Sequence, residues 1–568
     1  MDFTIIGAGA SGTAALYELS RAVERGAEKE DLAPPSLRVR VVERQEALGP
    51  GFPHSDRTAR PFHLINMCAR DMGVAANHPE DFQEWLDAGR DHLTRRFAEY
   101  RPYLESTALR DGPCTYVPRG VMGEYLKDRF QEAVKTLRRC GTRVEIFARC
   151  EVEDLREERE GVSLTVRDAR TGKVETQLTD RVLLATGHWF EETEDGRFFP
   201  SPWPSEALER AVAPGERVAV IGSSLSAVDT ALTLTADGVF VRRDSGELVY
   251  EPPAAPRTLA LCSRSGLMPR VRGRGGSFRN AHFTREHLHK RRLTNGGFLA
   301  LRDLFELLDA DLRRAYGRKI SWVEAVRPKG TPLERLERAA RDAREGDGPN
   351  GELLWQSVLH QTFPMAREVY LSLSPEDRRA FDRDLATPFF MFASPMPLIN
   401  AEKMLALMRA GVVEVVRLGS DYTLRREDAG RAFMFTYTEA SGRRRRARFD
   451  RLIDARGQAR SFETNPSPLA RNLLASGTVQ IEELSLTRRS EGPKSGEDTY
   501  RTGGVWIDPG TQRVMRRGKG GRQEISSRLY AVGVPTRGQI LDASMVYSCT
   551  LAAETIVRDL LRRWEREG

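Results

Sequence analysis

Apolar and polar residues recur along the chain in patterns that predict both strands and helices. An apolar run at 3–7 ends in glycine and leads into a glycine-rich turn and an amphipathic stretch. This order predicts a buried strand, a tight turn and a helix. A further strand is predicted at 37–43, and 217–221 repeats the strand with a similar turn and helix behind it. The strand–turn–helix unit therefore occurs twice, as expected of two dinucleotide-binding folds.

Two longer regions alternate polar and apolar positions with the period of two that is typical of antiparallel strands. They are residues 143–187 and 412–457, and each ends in a short apolar strand closed by a glycine. Residues 285–411 show helical periodicity and no strand signal. The pattern predicts an α/β protein with two Rossmann-like dinucleotide-binding domains, β-meanders and a helical insertion.

The order of these regions indicates that one dinucleotide-binding fold is split by the other. We expect the first domain to comprise 1–195 and 461–568, and the second to comprise 196–284 and 412–460. The helical insertion, 285–411, then interrupts the second domain between its strands.

The first glycine turn matches GxGxxG in the context that gives this motif meaning, between a strand and a helix. Gly7 permits the tight turn, Gly9 lets a pyrophosphate approach the backbone, and Gly12 allows the helix to pack closely on the strand. Glu43 closes the next strand and would bind ribose hydroxyls. It lies further from the glycines than the usual ~20 residues because a loop is inserted at 24–36.

Composition removes several classes of protein. With 40% hydrophobic and 30% charged residues among 568, the chain is neither disordered nor collagen-like. It has no apolar stretch of about 20 residues and no secretory signal, so we expect a cytoplasmic protein that does not enter a membrane. The net charge of +7 is a small excess for this length and does not indicate a nucleic-acid partner.

Cysteine and histidine, the residue types that most often bind transition metals, do not cluster in the sequence. The six cysteines are scattered without a CxxC pair, so we expect neither a zinc site nor a redox-active dithiol. His287 and His289 stand two apart in a helical stretch and would point in different directions. We therefore expect no metal site.

Nine segments extend the dinucleotide pattern over nearly the whole chain. They are GAGASG at 7–12, LGPGFPHS at 48–55, HLINM at 63–67, VPRGVMGEYL at 117–126, LLATGH at 183–188, IGSSLSAVD at 221–229, SRSGLMPR at 263–270, GGVWID at 503–508 and LYAVGVPTRG at 529–538. In this order they resemble the two-dinucleotide-binding-domain flavoproteins. In particular, they resemble the bacterial FAD/NAD(P)-binding proteins related to N-hydroxylating flavin monooxygenases.

The resemblance implies which residues hold the two cofactors. FAD is implied at Gly7, Gly9, Gly12, Glu43 and Gly187, and the nicotinamide nucleotide at Gly222, Ser224 and Ala227. Arg119 would touch FAD or order the loop beside it. Gly533 would bring the chain under the flavin just before a helix that starts near Ser544, although Val534 replaces the acid that many relatives have after this glycine.

Arg264 follows a strand-like segment of the second fold and favours NADPH over NADH. A guanidinium there can bind a ribose 2′-phosphate through two hydrogen bonds, and no acid takes its place. The alternative is a surface arginine at the end of a strand.

The reaction implied by the resemblance is N-hydroxylation of a small amine or amino acid, of the lysine, ornithine or aspartate type. The flavin would be reduced by NADPH and would then react with molecular oxygen to form a C4a-hydroperoxyflavin. Because an amine is mostly charged at physiological pH, a desolvated pocket or a nearby base would be needed to deprotonate it. The candidates for the base are His63 and His54, with Asn66 near the flavin ring. Other arginines, Arg70, Arg270 and Arg272, could hold a substrate carboxylate.

Two other functions remain open at this point. One is an NAD(P)H:acceptor oxidoreductase or oxidase that inserts no oxygen, and the other is a non-catalytic dinucleotide-binding scaffold. The yield of peroxide would separate the first from a monooxygenase, and failure to take up FAD would indicate the second. His63 and His54 also have a structural alternative, and the sequence leaves a homo-oligomer open.

Overall fold

The computed structural model has two parallel β-sheets, each flanked by helices on one face and an antiparallel meander on the other. It describes residues 1–28, 37–106, 109–111, 114–189, 196–276, 278–427, 430–439, 441–457, 461–486, 499–518 and 520–567. Most of the loop expected at 24–36 lies outside the described residues, and the helix before it extends to Glu28. None of the described helices is long and apolar enough to cross a membrane.

The strands follow the predicted strand positions closely at the two glycine turns. Their bounds are β1 Asp2–Ile6, β2 Arg38–Glu43, β3 Arg110–Asp111, β4 Cys114–Thr115, β5 Arg143–Ala148, β6 Cys150–Glu157, β7 Val162–Asp168, β8 Val174–Thr179, β9 Arg181–Leu184, β10 Phe198–Phe199, β11 Arg217–Ile221, β12 Val239–Arg242, β13 Leu248–Glu251, β14 Thr258–Ser263, β15 Val413–Arg417, β16 Thr423–Glu427, β17 Ala432–Thr438, β18 Arg444–Phe449, β19 Arg451–Asp454, β20 Ile481–Ser485, β21 Thr499–Val505, β22 Arg513–Arg517 and β23 Gln523–Ala531.

The helices are concentrated between β14 and β15, where helical periodicity predicts them. Their bounds are α1 Ala10–Glu28, α2 Asp81–Arg96, α3 Arg101–Leu104, α4 Arg119–Arg139, α5 Ser205–Ala211, α6 Leu225–Leu234, α7 Arg285–Thr294, α8 Leu301–Tyr316, α9 Trp322–Val326, α10 Pro332–Glu345, α11 Leu354–His360, α12 Ala366–Ser372, α13 Pro375–Ala380, α14 Ala386–Ala393, α15 Leu398–Arg409, α16 Pro468–Ala475 and α17 Val546–Glu567.

The first sheet has the order β22-β23-β9-β1-β2-β5, and its strands are parallel except for β22. Its central strand, β1, pairs Ile6 with Val42 on one side and with Leu184 on the other. Helices α1, α4 and α17 cover one face of this sheet, and the meander β6–β7–β8 lies against the other. Strand β9 pairs with β1 on one side and with β23 on the other, so strands from early and late parts of the chain lie in the same sheet.

The second sheet has the order β10-β19-β11-β14-β15 and is parallel throughout. Helix α6 covers one face, together with α10 and α15 from the helical region. The meander β16–β17–β18 packs on the opposite face. The helical region is therefore not a separate body, because two of its helices contribute to the core of the second sheet. Three other helices of this region, α7, α8 and α12, contribute to a smaller apolar cluster.

Candidate flavin and substrate site

The glycines of the first turn have no space for side chains. Gly7 has a φ of +100°, and a Cβ atom built on it would lie 2.3 Å from the backbone oxygen of Ala185. A Cβ on Gly12 would lie 1.9 Å from the oxygen of Gly7. Gly9 faces Gly51, whose Cα would be 3.2 Å from a Cβ on Gly9. The turn is thus packed as the motif requires, with the loop that contains Gly51 lying directly against it.

Glu43 ends β2 beside this turn and is almost completely buried. Its two carboxylate oxygens accept hydrogen bonds from the backbone N–H groups of Ala8, at 2.7 Å, and Gln45, at 2.8 Å. Burial raises the pKa of Glu43, while these hydrogen bonds lower it. The carboxylate is therefore held in a fixed orientation at the end of its strand, where a ribose would lie.

Two later glycines of the first domain also lie at this end of the sheet. Gly187 has a φ of +64°, and no atom of the described residues would lie within 4 Å of a Cβ built on it. Gly533 has a φ of +75°, and its Cβ would meet the Ser11 hydroxyl at 2.6 Å. The chain then turns through 534–545 into α17. Gly187 thus borders open space, whereas Gly533 is packed against the first turn.

The second glycine turn repeats this construction in the second sheet. Gly222 has a φ of +123°, and a Cβ on it would lie 2.9 Å from the oxygen of Ala455. Ser224 directly precedes α6, and Ala227 is buried in the first turn of that helix. The side chain of Ser223 donates to the Ser263 hydroxyl at 2.8 Å and so ties this turn to the end of β14.

Arg264 follows β14 and is exposed at the same edge of the second sheet. The backbone N–H of Gly419 donates to the oxygen of Arg264 at 3.2 Å. Arg417 lies against Gly266, and burial together with Arg338 and Arg417 lowers the pKa of Arg335 on α10. Several guanidinium groups therefore share this edge, and two of them, Arg335 and Arg338, come from the helical region.

His63 is completely buried between the two domains, and both of its ring nitrogens have partners. Nδ1 accepts a hydrogen bond from the backbone of Arg60 at 3.0 Å, and Nε2 lies 3.0 Å from the Thr233 hydroxyl. Burial is the main cause that lowers the pKa of His63 well below its usual value. These contacts favour the structural alternative for this residue, so we do not propose it as a base.

His54 has a different environment. Its Nδ1 is buried and has no hydrogen-bond partner among the described residues. Burial and the neighbouring charge of Arg119 lower the pKa of His54 to about 3. The imidazole is therefore neutral and has a free nitrogen beside the loop that packs on the first glycine turn.

Arg119 begins α4 and forms an ion pair across the two domains. Its Nη2 lies 2.7 Å from a carboxylate oxygen of Asp229 on α6, and the Asp229 side chain is only 4% exposed. Burial raises the pKa of Asp229, and Arg119 opposes this change. The guanidinium expected to touch FAD or order its loop is therefore engaged by the second domain.

A cavity of about 710 Å³ that is lined by several charged side chains, the polar cavity, lies where residues of 67–80 and 272–279, the helical region and the chain before α17 meet. Asn66 is not in its lining, but its backbone oxygen accepts a hydrogen bond from Arg272 at 3.0 Å. Arg272 lines the cavity and has no carboxylate partner among the described residues, and its Nε is buried without a hydrogen bond. Arg70 also lines it but is paired with Glu80 at 3.0 Å. Arg270, the third arginine expected to bind a carboxylate, lies outside this cavity.

Several titratable residues of this cavity were not among the candidates drawn from the sequence, and His360 and Asp542 are two of them. His360, the last residue of α11, faces the cavity, and its surroundings lower its pKa chiefly by desolvation. Asp542 lies before α17, accepts a hydrogen bond from Ser548 at 3.1 Å, and has its pKa raised by burial. A signal for His360 could have been its position at the end of an apolar helical stretch. Cys68, which also lines the cavity, is disulfide-bonded, which the cysteine spacing did not predict.

The first domain has the features that FAD requires. The glycine turn and the oriented Glu43 carboxylate match the adenosine diphosphate half of an FAD molecule. The open side of Gly187 and the free Nδ1 of His54 leave space and a hydrogen-bonding atom along the same edge. Among the described residues no cluster of metal-binding side chains occurs.

Comparisons with known proteins agree with this geometry. Residues 4–189 match the family described as FAD-NAD(P)-binding. The chain is 24% identical to the uncharacterized protein YdhS of Escherichia coli, over 80% of this chain and 82% of the relative. It is 26% identical to the L-aspartate N-monooxygenase (nitrosuccinate-forming) of Streptomyces cremeus, over 94% of this chain and 89% of that enzyme.

A solved structure with similarity along the whole chain is the ornithine hydroxylase of Pseudomonas aeruginosa, at 13% identity, 99% coverage of both chains and a TM-score of 0.47. The predicted cofactors and fold class are confirmed by the matched domain and by the two parallel sheets. The chain thus contains an FAD-NAD(P)-binding domain over residues 4–189 and is similar in sequence to an N-hydroxylating monooxygenase.

Proposed function

We propose that the protein is a monooxygenase that uses FAD and NADPH to hydroxylate the nitrogen of an amine or amino acid. The observation that carries this proposal is the polar cavity, which His360, Asp542 and Arg272 all line, and in which Arg272 has no carboxylate partner among the described residues. The similarity to an L-aspartate N-monooxygenase over 94% of the chain supports the same reaction.

The cofactors would be held at the two glycine turns. Gly7, Gly9 and Gly12 would receive the pyrophosphate of FAD, Glu43 its ribose, and Gly187 would border it. Bound FAD would take a hydride from NADPH and supply the oxygen chemistry. Gly222, Ser224 and Ala227 form the second turn, which would hold NADPH. The group of arginines at the edge of the second sheet, which includes Arg264, matches a 2′-phosphate.

The residues of the cavity supply what an amine needs before oxidation. An alkylamine with a pKa near 10 carries a proton at neutral pH, and only its neutral form is a nucleophile. Because burial lowers the pKa of His360, its imidazole is neutral at that pH. Proton transfer to this weak base requires that the same desolvation also lowers the pKa of the bound ammonium group. Arg272, whose Nε is buried without a hydrogen bond, would pair with an anionic group of the substrate.

The test measures product rather than NADPH consumption alone. The FAD-loaded protein is mixed with NADPH, oxygen and a panel of amino acids and amines, and hydroxylamine products are identified by mass spectrometry. We expect at least one compound to yield a product 16 mass units heavier in an amount close to the NADPH consumed. If every compound instead gives one equivalent of hydrogen peroxide per NADPH, the protein is an oxidase and the proposal is wrong.

The substrate site is tested separately with Arg272. We expect Arg272→Met to raise KM for a substrate that carries a carboxylate, with a much smaller effect on an amine of the same length that lacks one. Arg274→Met provides the matched control, because Arg274 also lines the cavity but is exposed. Equal effects of Arg272→Met on both compounds would contradict its role in binding an anion.

A further inference from the structure

A second cavity lies inside the helical region and has a different character. Its volume is about 560 Å³, within the range of about 300–1,000 Å³ that is typical of ligand sites. Its walls are almost entirely apolar and come mostly from helices α8 to α12, helix α14 and the loops beside them. Side chains that line it include Leu304, Leu308, Trp322, Trp355, Val369 and Phe389.

Four of the polar side chains in these walls already have partners in the protein. The Tyr316 hydroxyl donates to Asp347 at 2.6 Å, and the Thr362 hydroxyl donates to the backbone oxygen of Leu359 at 2.7 Å. The Tyr370 hydroxyl lies 2.6 Å from Asp382. Arg270 lies with its guanidinium 4.8 Å from the centre of the Phe392 ring and donates to the backbone oxygen of Ala325. The space between these walls therefore offers hydrocarbon, with few hydrogen-bonding partners for water.

The apolar cavity adjoins the polar cavity of the proposed substrate site. The two linings share Phe363, Ala366, Phe389, Ala393 and Leu541. All of these side chains are hydrocarbon, so the common wall does not separate the cavities by charge or hydrogen bonds. A molecule with its polar end beside His360 and Arg272 would have its other end directed at this wall.

We infer that the substrate is an amphiphilic amine, with its polar end in the cavity of His360 and Arg272 and an apolar tail in the adjoining cavity of the helical region. This inference rests on the proposed function for the identity of the polar end. It assigns a substrate larger than the small amine or amino acid that the resemblance implies. The helical region would then select the substrate by the length of its tail.

Binding of a homologous series tests the inference without turnover. The compounds are L-2-amino acids with unbranched alkyl side chains of two to ten carbons, kept below the concentrations at which they form micelles. Their dissociation constants for the FAD-loaded protein are measured by isothermal titration calorimetry. We expect the affinity to rise by up to about fourfold per added methylene, because each is removed from water, until the tail fills the cavity.

Variants then locate the tail. Ala366, at the start of α12, lines both cavities, so Ala366→Phe should remove the gain from the longer tails. Leu308, on α8, lines only the apolar cavity, so Leu308→Trp should remove this gain and leave the shortest compound within about twofold of wild type. The control is Ala310→Phe on α8, since Ala310 lines neither cavity. Leu308→Trp fills the apolar cavity from another helix and gives a second route to the same result if Ala366→Phe does not fold.

Two results would overturn the inference. One is an affinity that does not change with tail length, and the other is a gain that neither Ala366→Phe nor Leu308→Trp reduces. The proposed reaction is judged by a different readout, the hydroxylamine product. Tail-dependent binding without any hydroxylamine would support the apolar site and contradict the reaction, whereas hydroxylation of short amines with flat affinities would do the reverse.

Discussion

The His360 side chain faces a cavity that lowers its pKa, and this fixes the direction of a pH effect. Above the lowered pKa the imidazole is neutral and can accept a proton from the substrate. As the pH falls through that pKa, below about 6.5, the ring becomes charged and kcat/KM should fall. His360→Gln should lower kcat/KM by about 10²–10⁴ and abolish this acid limb, because the amide cannot accept the proton.

The matched control for this prediction is His289→Gln on α7, where the histidine is exposed and outside the cavity. Its pH profile should equal that of the wild type, and FAD content should be unchanged in both variants. A His360→Gln enzyme that keeps the acid limb would assign that limb to another group and contradict the proposed role.

Arg264 lies at an edge of the second sheet where further guanidinium groups gather. Removing one charged hydrogen-bonding partner of a phosphate costs about 1.5–3 kcal/mol, or roughly ten- to a hundredfold in affinity. We therefore expect Arg264→Ala to raise KM for NADPH by about this factor and to leave KM for NADH within about twofold. Steady-state kinetics with both nucleotides measures the difference, and Arg425→Ala on the exposed strand β16 is the control. Equal losses for both nucleotides would contradict binding of the 2′-phosphate.

Gly9 faces the backbone of Gly51 across a gap that has no room for a larger side chain. Gly9→Val would displace the 48–55 loop or occupy the position where the FAD pyrophosphate is proposed to lie. We expect the purified variant to contain less than about a tenth of the flavin bound by wild type, an order-of-magnitude loss typical of a lost charged contact. The ratio of absorbance at 450 nm, typical of oxidised flavin, to that at 280 nm measures it.

Gly89→Val provides the comparison for Gly9→Val. Gly89 lies in α2, where an added Cβ would meet only the Leu93 side chain, at 4.0 Å. This variant tests whether a glycine-to-valine change elsewhere in the chain lowers the flavin content, and we expect it to retain its flavin. Stoichiometric flavin in Gly9→Val would contradict the assignment of the first turn.

Helices α4 and α6 belong to different sheets and are joined by a buried ion pair at their N-terminal halves. Asp229→Asn removes the charge that faces Arg119 and leaves a guanidinium in a largely buried position. Because an uncompensated buried charge is costly, we expect the free energy of unfolding to fall by about 3 kcal/mol. Urea denaturation monitored by tryptophan fluorescence measures the change.

The double variant Arg119→Met/Asp229→Leu distinguishes the contribution of the ion pair to stability from the cost of leaving one buried charge without its partner. It replaces both charges by apolar groups of similar size, and such replacements are often neutral or stabilising. We expect its unfolding free energy to lie closer to wild type than that of Asp229→Asn. A double variant less stable than the single one would mean that the pair itself stabilises the contact between the domains.

Across the whole molecule, the sequence predicts features that depend on neighbours along the chain. The apolar runs of β1, β2 and β11, the glycines that follow β1 and β11, and the alternating meanders are all encoded locally. The helical content of the region between β14 and β15 is predicted for the same reason, since periodicity is a property of a short stretch of sequence.

The substrate cavity could not be predicted in this way, because its walls come from separate parts of the chain. Arg272 and His360 are 88 positions apart, and Asp542 lies beyond another 182. The same limit applies to His63, whose ring is held by groups 166 and 170 positions away. Arg270 and Arg272 differ by two positions in sequence, yet they face different cavities.

The connection between β14 and β15 has a consequence for the evolution of the protein. These strands are parallel neighbours, so the long segment between them leaves and re-enters the sheet at adjacent positions. Such a segment can be exchanged as a cassette without altering the order of any strand. The faces of α10 and α15 that pack on the second sheet must be retained, and so must the contacts with the first domain, such as the buried ion pair between Arg378 and Glu482 at 2.8 Å. Within these limits, descendants of this scaffold could acquire new specificities by recombination of a single segment, while the strand order of both sheets remains unchanged.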